Sequence, residues 1–530
     1  MKTTRLYAVC AICAAAPLFN AAASDIYARV AGSGFAYFSD VECTTAVPNP
    51  PDSGVEGCVV LFGTDAEYQI LAERTETIAL ADDILLQNDV SFSMDTDWSA
   101  FDFNLNGKTL SISDGAVLTL GGVTGSGTVQ APGSASGTLE WKIPAGVTYT
   151  NTGVSLVGEN LLVRKTGAGK LVMSKTNDKF GSGSSSVSLI VAEGVVSKTD
   201  TNNATCGVQY SRIVVEDGAQ FDICGRKYWD YDYEISGAGP DGKGALVKSN
   251  TESTDGRRAY TQAKDGFMRN IELKGSTTIY ADMNGTAACD WALMFYNYKE
   301  NKVVMNGNTL TIDGPAYSGD IGGRIYAGNT IFEGEGRIIV ATNGCFETYD
   351  SSFTRSAPGC ELHVYGMFWT QSPGATKKMS GVSPVKSLVF HESGLYRNLR
   401  PASPVATNLV YETYAPNMKT WPGNTTRRYP FVRLGDANHA ATTLDLSRWT
   451  GVFDDSVEGS LSFAENTVVT VDLGNRVFGA SVPIYKWGVN NEPPQSVVFT
   501  AKQSGSVKIV RDDAAGCLYA KGDGLRVRIK

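Results

Sequence analysis

The chain has 530 residues, of which 57 are glycine and 19% are charged, and its formal net charge is −9 at pH 7. An acidic balance without a concentrated basic cluster argues against nucleic acid as a partner, because phosphate binding needs a basic face. Short runs in which apolar and polar residues alternate outnumber runs with a 3.6-residue apolar period, so the composition predicts an all-β protein.

The N-terminus predicts an export signal. Lys2 and Arg5 precede an apolar run from Leu6 to Phe19, and residues 21–23 are all alanine. These are the features of a cleavable signal peptide, and we place the cut after residue 23. The rest of the chain holds no apolar run as long as a membrane helix needs. We therefore expect a secreted or cell-surface protein with no transmembrane segment after cleavage.

Eight of the ten cysteines remain after removal of residues 1–23. An even number of cysteines in an exported chain favours disulfides, although eight of them allow about a hundred pairings. We predict two local bridges, Cys43 with Cys58 and Cys345 with Cys360, because one would close a proline-rich loop and the other a polar loop.

Residues 24–95 are predicted to form an N-terminal cap, which could hold one short helix between Asp65 and Gln87. Alternating stretches follow, each bounded by Gly, Asn or Asp, and they predict strands. The clearest of these stretches are Leu118 to Val129, Leu161 to Met173, Val187 to Val195 and Val303 to Ile312.

Two segments of the chain are closely similar to each other. The segment from Leu105 to Ile112, LNGKTLSI, recurs from Met305 to Ile312 as MNGNTLTI. In both places a G-x-G element follows the Asn-Gly pair, at Gly125 in the first and, after a longer interval, at Gly334 in the second. A rung repeated with variable loops is typical of a parallel β-solenoid, which we predict for residues 96–371. A β-sandwich is the alternative architecture for this region.

The segment from Leu162 to Ser174, LVRKTGAGKLVMS, resembles the autotransporter-associated β-strand repeat, and Asn177 to Val196 fits the second half of that repeat. The close match is confined to residues 162–196. The resemblance implies a right-handed parallel β-helix displayed outside a bacterial cell, with no catalytic residues to transfer. The chain departs from autotransporters in its C-terminal region, which is too short and too polar for their outer-membrane barrel.

Residues 372–384 are predicted to be a linker or loop, because Pro, Gly, Ser and Lys dominate there. The short alternating runs beyond it, such as Leu444 to Ser447 and Val468 to Leu473, are interpreted as antiparallel strands. Residues 385–530 are thus predicted to form a C-terminal β-sandwich-like module.

Most sequence motifs that would indicate catalysis, nucleotide binding or a metal site are incomplete or missing. Gly237 to Lys243 fits most of a phosphate-binding loop, but Gly244 stands where Ser or Thr is needed and a β pattern follows. The three histidines, His363, His391 and His439, are far apart in the sequence and form no H-E-x-x-H motif. We therefore predict no cofactor, no metal site and no catalytic residue.

The segment from Tyr228 to Glu234 is the most suggestive of function. Its aromatic and acidic residues alternate, so a strand would place them on opposite faces. Rings facing a groove could stack on sugars, and the carboxylates could bind calcium or cleave glycosides. The alternative interpretation packs the rings inward and leaves the acids in solvent. The candidate carbohydrate-binding residues are Trp229, Asp230, Tyr231, Asp232 and Glu234.

Three functions stay open on these grounds. The first is a structural or adhesive surface protein without catalysis. The second is a protein that binds polysaccharide or other cell-surface components. The third is a β-helix polysaccharide lyase or glycoside hydrolase, which would need two carboxylates converging in one groove roughly 5 to 10 Å apart.

Overall fold

A computed structural model gives the fold, which is all-β, and it contains no helix among the residues that it describes. Those residues are 26–31, 34–47, 57–61, 83–151, 153–158, 160–173, 187–198, 212–223, 232–249, 270–281, 293–295, 301–315, 324–328, 330–349, 357, 359–371, 385–391, 395–398, 405–411, 432–435, 440–447, 451–456, 461–476, 478, 481–489, 491–503 and 506–522. The predicted signal peptide lies outside them. In this part of the chain no helix is long and apolar enough to cross a membrane.

The described residues contain 42 strands. The first fourteen are β1 (Ile26–Ala31), β2 (Gly34–Phe38), β3 (Gly57–Leu61), β4 (Asp83–Leu86), β5 (Val90–Phe92), β6 (Thr96–Asn104), β7 (Thr109–Ile112), β8 (Val117–Thr124), β9 (Gly127–Gln130), β10 (Thr138–Lys142), β11 (Thr148–Asn151), β12 (Val154–Val157), β13 (Leu162–Thr166) and β14 (Lys170–Met173). The next fourteen are β15 (Ser188–Val191), β16 (Val195–Lys198), β17 (Arg212–Val215), β18 (Gln220–Asp222), β19 (Asp232–Gly237), β20 (Leu246–Lys248), β21 (Asn270–Ala281), β22 (Leu293–Phe295), β23 (Asn301–Val304), β24 (Thr309–Asp313), β25 (Arg324–Gly328), β26 (Thr330–Glu333), β27 (Gly336–Val340) and β28 (Cys345–Tyr349). The last fourteen are β29 (Cys360–Val364), β30 (Met367–Gln371), β31 (Val385–Phe390), β32 (Leu395–Asn398), β33 (Val405–Tyr411), β34 (Val432–Leu434), β35 (Ala441–Asp445), β36 (Phe453–Asp455), β37 (Leu461–Phe463), β38 (Val468–Asp472), β39 (Val482–Trp487), β40 (Val498–Ala501), β41 (Val507–Asp512) and β42 (Cys517–Gly522).

Nearly all of these strands pair in parallel, and most of them form three ladders that the chain visits in cyclic order. Ladder 1 runs through β6, β8, β10, β13, β15, β17, β19, β21, β23 and β26. Ladder 2 runs through β11, β14, β16, β18, β20, β21, β24, β27, β29, β31, β33, β35, β38 and β40. Ladder 3 consists of β5, β7, β9 and β12, and later of β22, β25, β28, β30 and β32. Strands β1, β3 and β4 pair in parallel ahead of β6. We call one passage through the ladders a rung.

The register stacks apolar side chains from one rung onto the next. In ladder 1 the Cα partners form a continuous row in which every side chain is at most 1% exposed. This row consists of Leu118, Leu139, Val163, Leu189, Ile213, Tyr233, Ile271, Val303 and Phe332. Because each strand buries one face only when the next rung covers it, the stacked rungs share one core.

The two similar segments of the sequence form matching corners between ladders. Asn106 and Asn306 both have positive φ, and each is followed by a glycine that also has positive φ. One rung later the G-x-G element lies on the same corner, since the amide of Gly107 donates to the carbonyl of Ser126 and that of Gly307 to Glu335. The interval between the Asn-Gly pair and the G-x-G element is therefore the length of one rung, and it differs between the two places because the loops differ.

The predicted alternating stretches are each divided by such a corner. Leu118 to Val129 contains most of β8 and of β9, and Val303 to Ile312 contains the end of β23 and most of β24. A short helix is one expectation for the stretch from Asp65 to Gln87. Residues 83–86 of that stretch form β4, and residues 62–82 are not among those described.

The C-terminal strands differ from the expectation. Antiparallel pairing is wrong for β31, β33, β35, β38 and β40, which all pair in parallel and continue ladder 2. The reason is that an alternating strand has the same period of two in either direction, so the pattern does not report direction. Antiparallel pairs occur where β41 and β39 flank β42, and at the other end where β2 covers β1. The predicted linker at 372–384 lies outside the described residues, so the boundaries on either side of it stay predictions.

The predicted bridge between Cys345 and Cys360 is not formed, whereas the one between Cys43 and Cys58 involves a side chain outside the described ones and stays a prediction. Cys43, Cys345 and Cys360 are buried, and in the described part of the chain none of them is in a disulfide. Cys345 begins β28 in ladder 3, whereas Cys360 begins β29 in ladder 2, so the register pairs each with other residues. Burial raises the pKa of the Cys360 thiol to about 12. The side chain of Cys58 is not described.

Candidate functional site

The predicted carbohydrate site is only partly within the described residues. Trp229, Asp230 and Tyr231 lie outside them. Strand β19 follows, and in it Tyr233 faces inward and is 1% exposed, with its ring 6.3 Å from that of Phe221. Asp232 and Glu234 face outward on the same strand, because successive side chains alternate across it.

Glu234 lies in a network of charges on the outer surface of ladder 1. The Arg212 guanidinium donates to it through Nη2 at 2.7 Å, and Lys274 Nζ lies 3.4 Å from its Oε2. The same ammonium lies 2.7 Å from Glu272 Oε1, which also accepts a hydrogen bond from Asn306 Nδ2 at 3.2 Å. Because the two carboxylates share one cation, they lie no more than about 6 Å apart, a separation that alone would suit glycoside chemistry.

The electrostatics of this network do not suit an acid catalyst. The hydrogen bond from Arg212, supported by the charge of Lys274, lowers the pKa of Glu234 below its ordinary value. A glycosidase acid needs a raised pKa so that it still carries its proton near neutral pH. Glu234 is therefore ionised and neutralised by its neighbours, and it is not placed to donate a proton.

Neighbouring polar groups extend the network along the ladder. Arg164 donates two hydrogen bonds of 3.2 Å each to the carboxylate of Glu216. Asp232 accepts a hydrogen bond of 2.7 Å from Asn270 Nδ2. The outward carboxylates of this surface thus engage groups on other rungs, one rung away for Asp232 and two rungs away for Glu216.

A second cluster, which sequence reasoning missed, brings two of the three histidines together. We call it the histidine cluster, and it consists of Glu361, His363, Tyr365 and His391. His363 lies in β29 with its side chain facing outward, and His391 directly follows β31, the next strand of ladder 2. Their nearest ring nitrogens, His363 Nδ1 and His391 Nε2, are 3.0 Å apart.

The other members of the cluster hold these rings in place. The Tyr365 ring stacks on that of His391, with centroids 3.6 Å apart and planes 4° from parallel. His363 Nε2 lies 3.5 Å from Glu361 Oε2. Two cations on the adjacent strands flank this carboxylate, with Arg337 Nη2 at 3.3 Å and Lys386 Nζ at 3.9 Å.

Burial decides the protonation of His363. Loss of solvent lowers the pKa of its imidazole, and this effect outweighs the opposing influence of Glu361. For Glu361, burial raises the pKa, but the neighbouring His363 imidazole and the hydrogen bond and charge of Arg337, together with the charge of Lys386, outweigh burial and the net shift is downward. The cluster therefore combines a neutral imidazole with an ionised carboxylate at neutral pH.

The spacing of the two histidines in the sequence is related to the length of a rung. The interval from His363 to His391 is nearly the same as the interval from Leu362 to Leu388, which are stacked partners on the same two strands. The separation of the histidines is thus close to one rung, but it became meaningful only once the rung length in this region was known.

A buried lysine occupies a second interior row of ladder 1. The side chain of Lys165 is fully buried, and it stands in register with Trp141 on one side and Val191 on the other. Its ammonium donates to the carbonyl oxygens of Gly167 and, at 2.9 Å, of Glu193, on the corners of two successive rungs. Burial lowers the pKa of Lys165 to about 8.

Within the described residues, no three side chains of His, Cys, Asp or Glu converge as a metal centre. No family model matches the chain, and the searches of curated proteins and of solved structures found no significant match.

Proposed function

We propose that this chain is an exported bacterial β-helix with a structural or adhesive role at the cell surface or in the extracellular matrix, and without catalysis. The observation that carries the proposal is the pairing of the rungs. Parallel pairing extends from β1 to β40, and the interior is lined by stacked apolar side chains. Such a scaffold is rigid along its length and presents a long outer surface.

We further propose a right-handed winding. Strands that follow one another in a parallel sheet are joined by right-handed crossovers in nearly all known cases, because of the twist of the strands. The resemblance of residues 162–196 to the autotransporter-associated repeat supports the same hand. The signal-like residues 1–23 support export.

The corner at residues 165–169 supports the resemblance to the autotransporter-associated repeat. In the resembling segment LVRKTGAGKLVMS the first lysine is Lys165, whose ammonium donates to carbonyl oxygens on two successive corners. Gly169 follows it, and a Cβ at that position would lie 2.3 Å from the carbonyl oxygen of Pro144 on the previous rung. The residue types of the pattern are thus those that let two rungs stack closely at a corner.

The surface chemistry of ladder 1 favours this function over the enzyme. A lyase or hydrolase needs carboxylates with different proton affinities in one groove, whereas Glu234 is held ionised by Arg212 and Lys274. Carbohydrate binding through residues 229–232 and Glu234 stays an alternative that the same experiment addresses.

The proposal is tested with the source bacterium and with the purified chain from Ser24. Fractionation and protease shaving should find the full-length protein outside the cell and a variant without residues 2–23 inside it. The purified chain should bind cells or extracted matrix and release no new reducing ends from polysaccharides. Release of reducing ends would contradict the proposal, as would retention of the full-length protein in the cytoplasm.

A variant set separates adhesion from specific sugar binding. The triple change Trp229→Ala, Asp230→Ala, Asp232→Ala removes the candidate sugar contacts, and Asp241→Ala, at an exposed position, is the matched control. A structural adhesin should keep its surface binding in both. Glycan-array binding that the triple variant alone loses would favour the carbohydrate-binding alternative instead.

A further inference from the structure

The histidine cluster has the features of a metal-ion site that the proposed function does not require. His363 lies in β29 and His391 directly follows β31, where its backbone amide donates to the carbonyl of Val364 at 3.0 Å, so the stacking of the two rungs fixes their separation. The side chain of His363 is 19% exposed, so part of it is accessible to solvent. Imidazole is the commonest protein ligand for borderline transition metals.

We propose that His363 Nδ1 and His391 Nε2 together bind one divalent transition-metal ion, with Cu²⁺ preferred over Zn²⁺. The preference follows the general order of divalent-ion affinities for nitrogen ligands. Water, or a donor group of a surface ligand, fills the remaining coordination positions.

The separation of the two nitrogens fits this role. Metal–imidazole bonds are roughly 2.0 to 2.1 Å long, so two imidazole nitrogens on one ion lie roughly 3 Å apart when the angle between them is near a right angle. The observed 3.0 Å matches this spacing. The ion replaces the proton that the two nitrogens otherwise share.

The surroundings supply the support that metal-binding histidines commonly have. His363 presents its second nitrogen to Glu361 Oε2 at 3.5 Å, and a carboxylate in that position fixes the tautomer and strengthens the ligand. The stacked Tyr365 ring fixes the orientation of His391. Arg337 and Lys386 pair with the carboxylate and also oppose a bound cation, so we expect moderate affinity.

The test uses the untagged chain from Ser24, titrated with CuSO₄ and with ZnCl₂ in a calorimeter. The variants are His363→Gln and His391→Gln, and His439→Gln is the control because it removes the one other histidine of the chain. We expect one ion per chain in the wild type and the control, and at least about a tenfold loss of affinity in the other two. Equal binding by all four proteins would overturn the proposal.

Two further measurements keep the test independent of folding in the variants. The electron paramagnetic resonance spectrum of the wild type with one equivalent of Cu²⁺ should show coupling to two imidazole nitrogens. A spectrum without nitrogen coupling would overturn the proposal whatever the variants do. Glu361→Gln should weaken binding about tenfold while the two-nitrogen signal persists, and circular dichroism establishes that each variant is folded.

Discussion

Single residues at the corners decide how closely two rungs can stack. Lys165 joins two successive corners through its hydrogen bonds. Its ammonium stands in an interior row of ladder 1 whose other side chains are apolar. The row continues past it because the carbonyls of Gly167 and Glu193 accept hydrogen bonds from the ammonium, so the charge is buried but hydrogen-bonded. Loss of solvent nevertheless disfavours the charged form, and the pKa falls to about 8.

This lysine should make stability depend on pH in a defined window. Its pKa is about 8 in the folded chain and 10.5 in the unfolded chain, so between these values the unfolded chain binds more protons and stability rises with pH. The rise should be about 3 kcal/mol. Urea unfolding of the wild type and of Lys165→Met, at intervals from pH 7.5 to 10.5, measures it. We expect the free energy of unfolding to rise with pH in the wild type and not in Lys165→Met. If the two proteins show the same dependence on pH, Lys165 keeps its ordinary pKa.

The corner is the element that the sequence repeats. At the second glycine of G-x-G, Gly127 and Gly336, a Cβ would lie 2.5 and 2.7 Å from a carbonyl oxygen of the previous corner. That oxygen belongs to Lys108 or Asn308, the third residue of the preceding N-G-x-T-L unit. The Asn-Gly pair and the G-x-G element thus form one contact between two rungs, which explains why they occur together.

A methyl group at such a corner should separate the two rungs. We expect Gly336→Ala to lower the free energy of unfolding by about 1 to 3 kcal/mol, because the atoms that it meets include backbone. The control is Gly451→Ala, since a Cβ there meets nothing within 4 Å. It should change stability by less than about 0.5 kcal/mol. Denaturant unfolding checks both, and equal effects would mean that the corner is not tightly packed.

The sequence predicted the elements better than their arrangement. Alternation located many of the strands, and the paired Asn-Gly and Gly-x-Gly elements identified stacked rungs. Strand direction beyond residue 385 could not be predicted, since Ala441 to Asp445 would alternate equally well in an antiparallel sheet. The histidine cluster could not be predicted either, because contact between His363 and His391 depends on the length of the rung that separates them.

At the scale of the whole molecule, ladder 2 joins regions that the sequence suggested were separate. Strand β29 precedes the predicted linker at 372–384 and β31 follows it, yet the two pair in parallel with Leu362 opposite Leu388. The backbone register continues through Leu409 to Leu444 and Val471. The side chains of Leu362, Leu388, Leu444 and Val471 are buried. At the N-terminal end β2 pairs antiparallel with β1 and covers an edge that would otherwise be open to pairing with another chain. Toward the C-terminal end the antiparallel strands β39, β42 and β41 form a separate sheet.

The central claim is that parallel rungs continue across residue 371, and engineered disulfides test it most directly. Glu361 and Ser387 are partners on adjacent rungs, whereas Arg337 and Ser387 are two rungs apart. Adjacent rungs bring Cα atoms to about 5 Å, within reach of a disulfide, and two rungs separate them by roughly 10 Å, which is too far. Peptide mapping by mass spectrometry after mild oxidation should therefore find the bond in Glu361→Cys/Ser387→Cys and not in Arg337→Cys/Ser387→Cys. A bond in the second pair, or in neither, would contradict the continuous ladder.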